Sequence, residues 1–250
     1  MFTPGGLIAG AIAAFIIGIA KTGLPGITLA AIPLIALIVD GRLIPGATLP
    51  LLMVADLYAV AWYREHARWD VLKGLAPWLG VGFLAGITFF VAVGAATEPL
   101  ERGIGLILLV IVLLQLWLMF REIAPKNSRF GVAGYGATGG FTTFVANAAG
   151  PVINTHLAAL RLPKPELLGT AAWLYFVVNI AKIPFYIALG VLTVGGPFFT
   201  TESLAWNAAL VPAVVAGVYV GRLLYRRIPQ RPFLIAVLAL SALGALVLVI

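Results

Sequence analysis

Apolar residues gather along this chain into eight long blocks, at 5–39, 47–62, 71–93, 103–120, 130–160, 166–189, 206–225 and 232–250, with polar positions confined to short stretches between them. Six blocks have about the length of one helical crossing of a bilayer, roughly 20 residues. Two do not fit. At about 1.5 Å per residue, block 5–39 would make a helix of roughly 50 Å and block 130–160 one nearly as long, against a hydrocarbon core about 30 Å thick. Both carry helix breakers near their middle, KTGLPG at 21–26 and NAAGP at 147–151. Each is therefore expected to form a broken hairpin, fully crossing or re-entrant, while the other blocks form single transmembrane helices.

The charge of the connections sets the expected orientation. Arg64, Arg68 and Lys73 crowd one connection, Arg121, Lys126 and Arg129 a second, Arg161 and Lys164 a third, and Arg222, Arg226, Arg227 and Arg231 a fourth. Those near 40–46, 94–102 and 190–205 are poor in Lys and Arg. Basic loops stay in the cytoplasm, so block 130–160 enters and returns on the inside. Block 5–39 does the same from the outside, and both termini fall outside. Block 47–62 then runs inward and block 166–189 outward, which gives the halves opposite orientation. A shared pattern points to duplication: Pro77, Gly82 and Gly86 in the third block of the first half match Pro212, Gly217 and Gly221 in the third block of the second. The expected fold is an all-α integral membrane domain of two inverted repeats, each a broken or re-entrant helical hairpin plus three transmembrane helices. The first repeat covers 1–125 and the second 126–250. Inverted repeats with interrupted helices are a transporter architecture.

Composition agrees with the pattern. The chain is 62% hydrophobic and only 10% charged, with mean hydropathy +1.09, whereas a soluble domain is about a quarter charged. No polar stretch is long enough for an aqueous domain. The opening MFTPGG lacks the basic region of a cleaved signal peptide, so the N-terminus is expected to be retained. Cysteine is absent, which excludes disulfides, thiolate metal sites, iron–sulfur clusters and persulfide relays. The net charge of +7 is what basic cytoplasmic loops produce; a field that attracts anions is its second meaning. No metal, cofactor or nucleic acid is expected, and the oligomeric state is not readable.

The candidate chemistry sits at the breaks. Half-helix N-termini offer free N–H groups and a positive dipole end, which suit an anion. Lys21, Thr22, Gly23 and Gly26 mark the first break; Thr143, Asn147, Ala148 and Gly150 mark the second. Asn179 and Lys182 are three apart and share a helix face just before Pro184. These ten residues are the expected substrate-binding set. Their structural alternatives are interhelical hydrogen bonding for the Thr and Asn residues and outward snorkelling for Lys182. Asp56 and His156 are the candidates for proton coupling. The alternative for Asp56 is an ion pair, with Lys21 as partner, and for His156 a structural hydrogen bond. Trp62, Trp69, Trp173 and Trp206 stand near block ends, as interfacial belt residues do.

At these residues the chain resembles the TauE/SafE family of bacterial membrane permeases. The resemblance rests on GIAKTGLPGITLAAIPLIAL and, more strongly, on GGFTTFVANAAGPVINTHLAALRLPKPELLGTAAWLYFVVNIAKIPFY. The ANAAGP break, the LPK after the hairpin and the spacing of Asn179, Lys182 and Pro184 are its most specific features. The resemblance implies a multi-pass protein of the bacterial inner membrane that transports small sulfur-containing anions such as sulfite or sulfoacetate. Its motif positions here are Lys21, Gly23, Gly26, Asn147, Gly150, Pro151, Asn179 and Lys182. The expected activity is export by alternating access. One negative charge moving outward against an inside-negative potential gains about 2.3 kcal/mol per 100 mV. The alternative is a proton-coupled importer. An enzyme is disfavoured, because Glu98, Glu101, Glu122, Glu166 and Glu202 all lie in or beside loops. A structural or assembly factor would leave the paired breaks and the buried lysines without a use.

Overall fold

A computed structural model of the protein describes residues 1–23, 27–39, 43–93, 97–121, 129–192 and 196–224. In chain order the helices are α1 (Pro4–Thr22), α2 (Ala31–Ala36), α3 (Ile44–Tyr63), α4 (Trp69–Val93), α5 (Thr97–Arg121), α6 (Arg129–Ala146), α7 (Ala149–Ala159), α8 (Lys164–Leu192) and α9 (Thr201–Leu224). A 3-10 turn at Ile27–Ala30 leads into α2. No strand occurs among the described residues. Helices α1, α3, α4, α8 and α9 are long and apolar enough to cross a membrane. They carry exposed apolar side chains such as Leu84, Val91, Ile187 and Leu223, as a surface facing lipid tails requires. Block 232–250, Lys126, Arg226, Arg227 and Arg231 lie outside the described residues.

Both long blocks are interrupted where the breakers stand. α1 closes its last turn with the Gly23 N–H donating to the Ile19 carbonyl at 2.9 Å. The stretch 27–36 then packs back against α1. Ten residues span at most about 20 Å even as a 3-10 helix, so this return limb is too short to cross. In the second block α6 gives way to α7 at Asn147, whose φ of 53° lies in the left-handed region. Asn tolerates that conformation because its short amide can bond locally. Pro151 falls in the first turn of α7, where a missing N–H removes no intrahelical bond.

Glycines set the helix pairing. α1 lies along α9, and α4 along α6. A Cβ on Gly18 of α1 would collide with the α9 backbone at Val214 and Gly217, and one on Gly217 with α1 at Phe15. The same holds for the other pair: Gly140 of α6 abuts the α4 backbone at Leu79, and Gly82 of α4 abuts α6 at Ala137 and Phe141. Gly86 meets Phe144 as Gly221 meets Thr22. The order of these contacts makes each pair parallel. α3 and α8 cross between them in antiparallel sense, with Gly169 of α8 against the Tyr63 carbonyl and Asn179 bonded to Asp56.

The corner between α3 and α4 is fastened to the start of α8. The Arg68 N–H donates to Thr170 Oγ1 at 2.9 Å, and its guanidinium bonds Asp70 at 2.8 and 3.0 Å and Glu166 at 3.2 Å. These two carboxylates raise the guanidinium pKa above its already high ordinary value. Trp206, expected in an interfacial belt, is instead fully buried with its ring against Gly10 of α1.

Gly217→Val should lower the unfolding midpoint in detergent by several degrees, because overpacking costs about 1–3 kcal/mol. Gly74→Ala, where nothing beyond the local helix backbone lies within 4 Å of the added methyl, should hold or slightly raise the midpoint. Thermal unfolding of the two variants beside the parent checks both.

Candidate functional site

The two breaks, α3 and α8 meet at one buried polar cluster. Its first part is an ion pair: Lys21 Nζ, on the last turn of α1, lies 2.7 Å from Asp56 Oδ1 on α3. The Asp56 side chain is 0% exposed and that of Lys21 9%. Asn179 of α8 donates from Nδ2 to the other carboxylate oxygen at 2.5 Å. The ring of Tyr175 lies beneath the ammonium, 4.3 Å from Nζ to its centroid, a cation–π contact strengthened by desolvation. The Tyr175 hydroxyl reaches Asn154 Oδ1 at 2.9 Å.

The second part is built on Lys182, which is 0% exposed. Its ammonium donates to the Thr143 carbonyl at 3.2 Å, to Thr143 Oγ1 at 3.1 Å and to Asn147 Oδ1. All three N–H donors of the ammonium are thereby used. The Asn147 amide in turn donates to the Pro45 carbonyl at 2.9 Å and to Thr48 Oγ1. One lysine therefore holds the second break against α8, and one asparagine holds it against the start of α3. Lys182 does not snorkel.

A cleft of about 30 Å³ lies between these parts, room for on the order of two waters. Lys21, Asp56, Thr143, Asn147, Gly150 and Asn179 of the sequence-derived set line it, joined by Thr28, Asn154 and Tyr175. It extends past Ala59, Leu168 and Ala172, toward the end of the bundle where α3 finishes and α8 begins. The opposite end is filled by Phe90, Phe144, Tyr186 and Phe198, all buried. There Tyr186 stacks on Phe198 with centroids 4.9 Å apart and donates to the Phe144 carbonyl at 2.5 Å.

The remaining sequence candidates stand elsewhere. Thr22 turns to α9, its hydroxyl 2.7 Å from the Val218 carbonyl, and Gly23 packs on Gly221. Ala148 is the N-cap residue of α7, with its N–H on the Thr142 carbonyl at 3.1 Å. Lys182 sits behind the cleft wall. His156 lies tilted against Tyr135, ring centroids 5.3 Å apart, outside the cleft. Gly26 lies outside the described residues. Sequence reasoning passed over Tyr175, Thr28 and the Thr48–Pro45 anchor. Tyr175 had a legible signal: it precedes Asn179 by four and Lys182 by seven, so all three share one face of α8. The anchor had none, because a backbone carbonyl leaves no mark in composition.

The first turn of α7 faces the cleft through Ala149 and Gly150. Its N-cap residue, Ala148, makes no side-chain capping bond. Free N–H groups, the positive end of a helix dipole and a lysine ammonium thus converge on one small polar space, which is what an anion requires. Among the described residues no cluster of three or more His, Asp or Glu side chains could hold a metal.

A model of the family described as sulfite exporter TauE/SafE matches residues 7–248. No curated protein and no solved structure matches the chain.

Lys182→Met, which leaves the Thr143 hydroxyl and the Asn147 amide oxygen without their donor, should destabilise the fold by about 1–3 kcal/mol. Asn147→Gly, which keeps the left-handed backbone but removes the amide, should cost about 1–3 kcal/mol. Asn147→Ala should cost more, since it adds backbone strain to the same loss. Denaturant or thermal unfolding in detergent orders the three.

Proposed function

The chain belongs to the TauE/SafE family, and on that premise we propose that it is a permease for small sulfur-containing oxyanions, exporting sulfite or a short organosulfonate by alternating access. The observation that carries this reading is the uncapped start of α7 opening onto the same cleft as Lys21. N–H groups of that first turn and the Lys21 ammonium take the anion's oxygens. Thr143 adds a hydroxyl, whose oxygen accepts from Lys182 and whose proton is left to donate. Asn179 and Asn147 line the same space, and the cleft's small volume suits a compact ion.

The interchanged contacts of α1 with α9 and of α4 with α6 support two inverted repeats. The first limbs of the hairpins, α1 and α6, run in opposite directions, as that arrangement demands. With the basic loops inside, Arg68 and Arg161 put the start of α8 at the cytoplasmic face of the inner membrane. The cleft then extends toward the cytoplasm while the aromatic layer closes the outer end. That is the state in which an exporter loads its substrate.

Efflux from proteoliposomes loaded with sulfite tests the reading, with sulfoacetate and sulfate in parallel. Thr143→Val should slow efflux about tenfold or more, given about 1.5–3 kcal/mol for a hydrogen bond to a charged group. Thr143→Ser should restore it. A parent protein that moves none of the three anions overturns the reading.

A further inference from the structure

We infer that Asp56 is a built-in stand-in for the transported anion, and that the anion takes its place on Lys21 only as Asp56 accepts a proton. The inference rests on the anion-permease reading. Lys21 and Asp56 are the only cation and the only carboxylate that line the cleft among the described residues, and they are paired with each other at 2.7 Å. The empty site is thus already neutralised. An arriving anion that shared Lys21 with an ionised Asp56 would place two negative charges around one ammonium in a buried space, where like charges cannot both stay ionised. Protonating the carboxylate removes the conflict.

The surroundings of Asp56 accommodate both forms. Its other oxygen is bonded to Asn179, and an amide carries a donor and an acceptor, so it serves a carboxylate or, turned over, a carboxylic acid. Tyr175 holds the Lys21 ammonium by its ring face, and that contact does not depend on which anion lies alongside. The titratable groups facing Asp56 are Lys21 from α1, and Tyr175 and Lys182 from α8. Lys182 has its three donors on Thr143 and Asn147 and stays behind the wall. α2 carries no titratable side chain. On α6, Tyr135 packs against His156; on α9, Tyr219 and Arg222 pack against Trp62, and Glu202 pairs with the Met1 amino group.

The exchange balances. The ionised Asp56 carboxylate gains one proton, Lys21 keeps its charge, and one anion enters. With a monoanion, the loaded site carries the same net charge as the empty one. The membrane potential then neither drives nor opposes transport, and flux follows the combined gradients of anion and proton. With a dianion such as sulfoacetate one net negative charge still moves, and the inside-negative potential still favours its export.

Calorimetric titration of the purified protein with sulfoacetate, which carries no titrating proton between pH 6 and 8, and with sulfite, its own ionisation subtracted, reads the proton directly. Repeating each titration in two buffers of different ionisation enthalpy should give close to one proton taken up per anion bound. Affinity should fall about tenfold per pH unit where free Asp56 is ionised. Asp56→Asn should bind with no proton uptake and no such slope. Binding by the parent protein without proton uptake overturns this inference and leaves the permease reading standing. So does proton uptake that persists in Asp56→Asn. Absence of binding with both anions overturns the permease reading and this inference with it. The two-buffer measurement on the parent protein stands whether or not the variant folds.

Discussion

The ammonium of Lys182 sits in apolar surroundings where water cannot satisfy it, and the structure around it is arranged to meet that demand. A buried charge needs partners for each of its donors. Here they come from the broken end of α6: the Thr143 carbonyl, which also accepts from the Asn147 N–H, the Thr143 hydroxyl oxygen and the Asn147 amide oxygen. The lysine and the break thus solve each other's problem. Asn147 extends the solution to α3, since its oxygen faces the ammonium while its nitrogen reaches Thr48 and Pro45. Three separate segments are held in register by one charge and one amide. Irregular backbone at this depth is tolerated only where protein or a cavity surrounds it, and both conditions are met.

The two lysines consequently have different work. Lys182 is committed to hydrogen bonds that shape the break. Lys21 is committed to one carboxylate, and its side chain remains in the cleft. Only the second commitment can be exchanged without dismantling a helix end. Net charge and a pair of intramembrane lysines would assign both to the substrate, because sequence weighs them as equal cations. Burial and hydrogen-bond partners separate them.

Much of this was legible in the chain. The block lengths and breakers located both helix interruptions, and Asn147 stands at the second as NAAGP suggested. The glycines of the two matching triplets, Gly82, Gly86, Gly217 and Gly221, stand where α4 and α9 touch α6 and α1. Less legible was the direction in which each polar side chain of a break turns. Thr22 is next to Lys21 in sequence, yet successive residues on a helix point about 100° apart, and it serves the α9 contact instead. His156 is polar and intramembrane, but it lies on the wrong side of α7 to reach the cleft. The Thr48–Pro45 anchor belongs to long-range packing, which no local pattern encodes.

The glycine contacts bear on how such a site could change its exposure. At Gly18 and Gly217 between α1 and α9, and at Gly82 and Gly140 between α4 and α6, backbone comes directly against backbone. Packed interiors are not continuously deformable, so each pair resists internal sliding and is suited to move as a body. α3 and α8 cross between the two pairs, and at the centre of their crossing the hydrogen bond from Asn179 to Asp56 joins them. Asp56 is therefore both the partner of Lys21 and a link between the elements that would have to shift. A change in its charge alters the ion pair to α1 and the hydrogen bond to α8 together. On the proposed reading, that single carboxylate ties substrate, proton and helix movement together, with no longer chain of residues needed to carry the coupling.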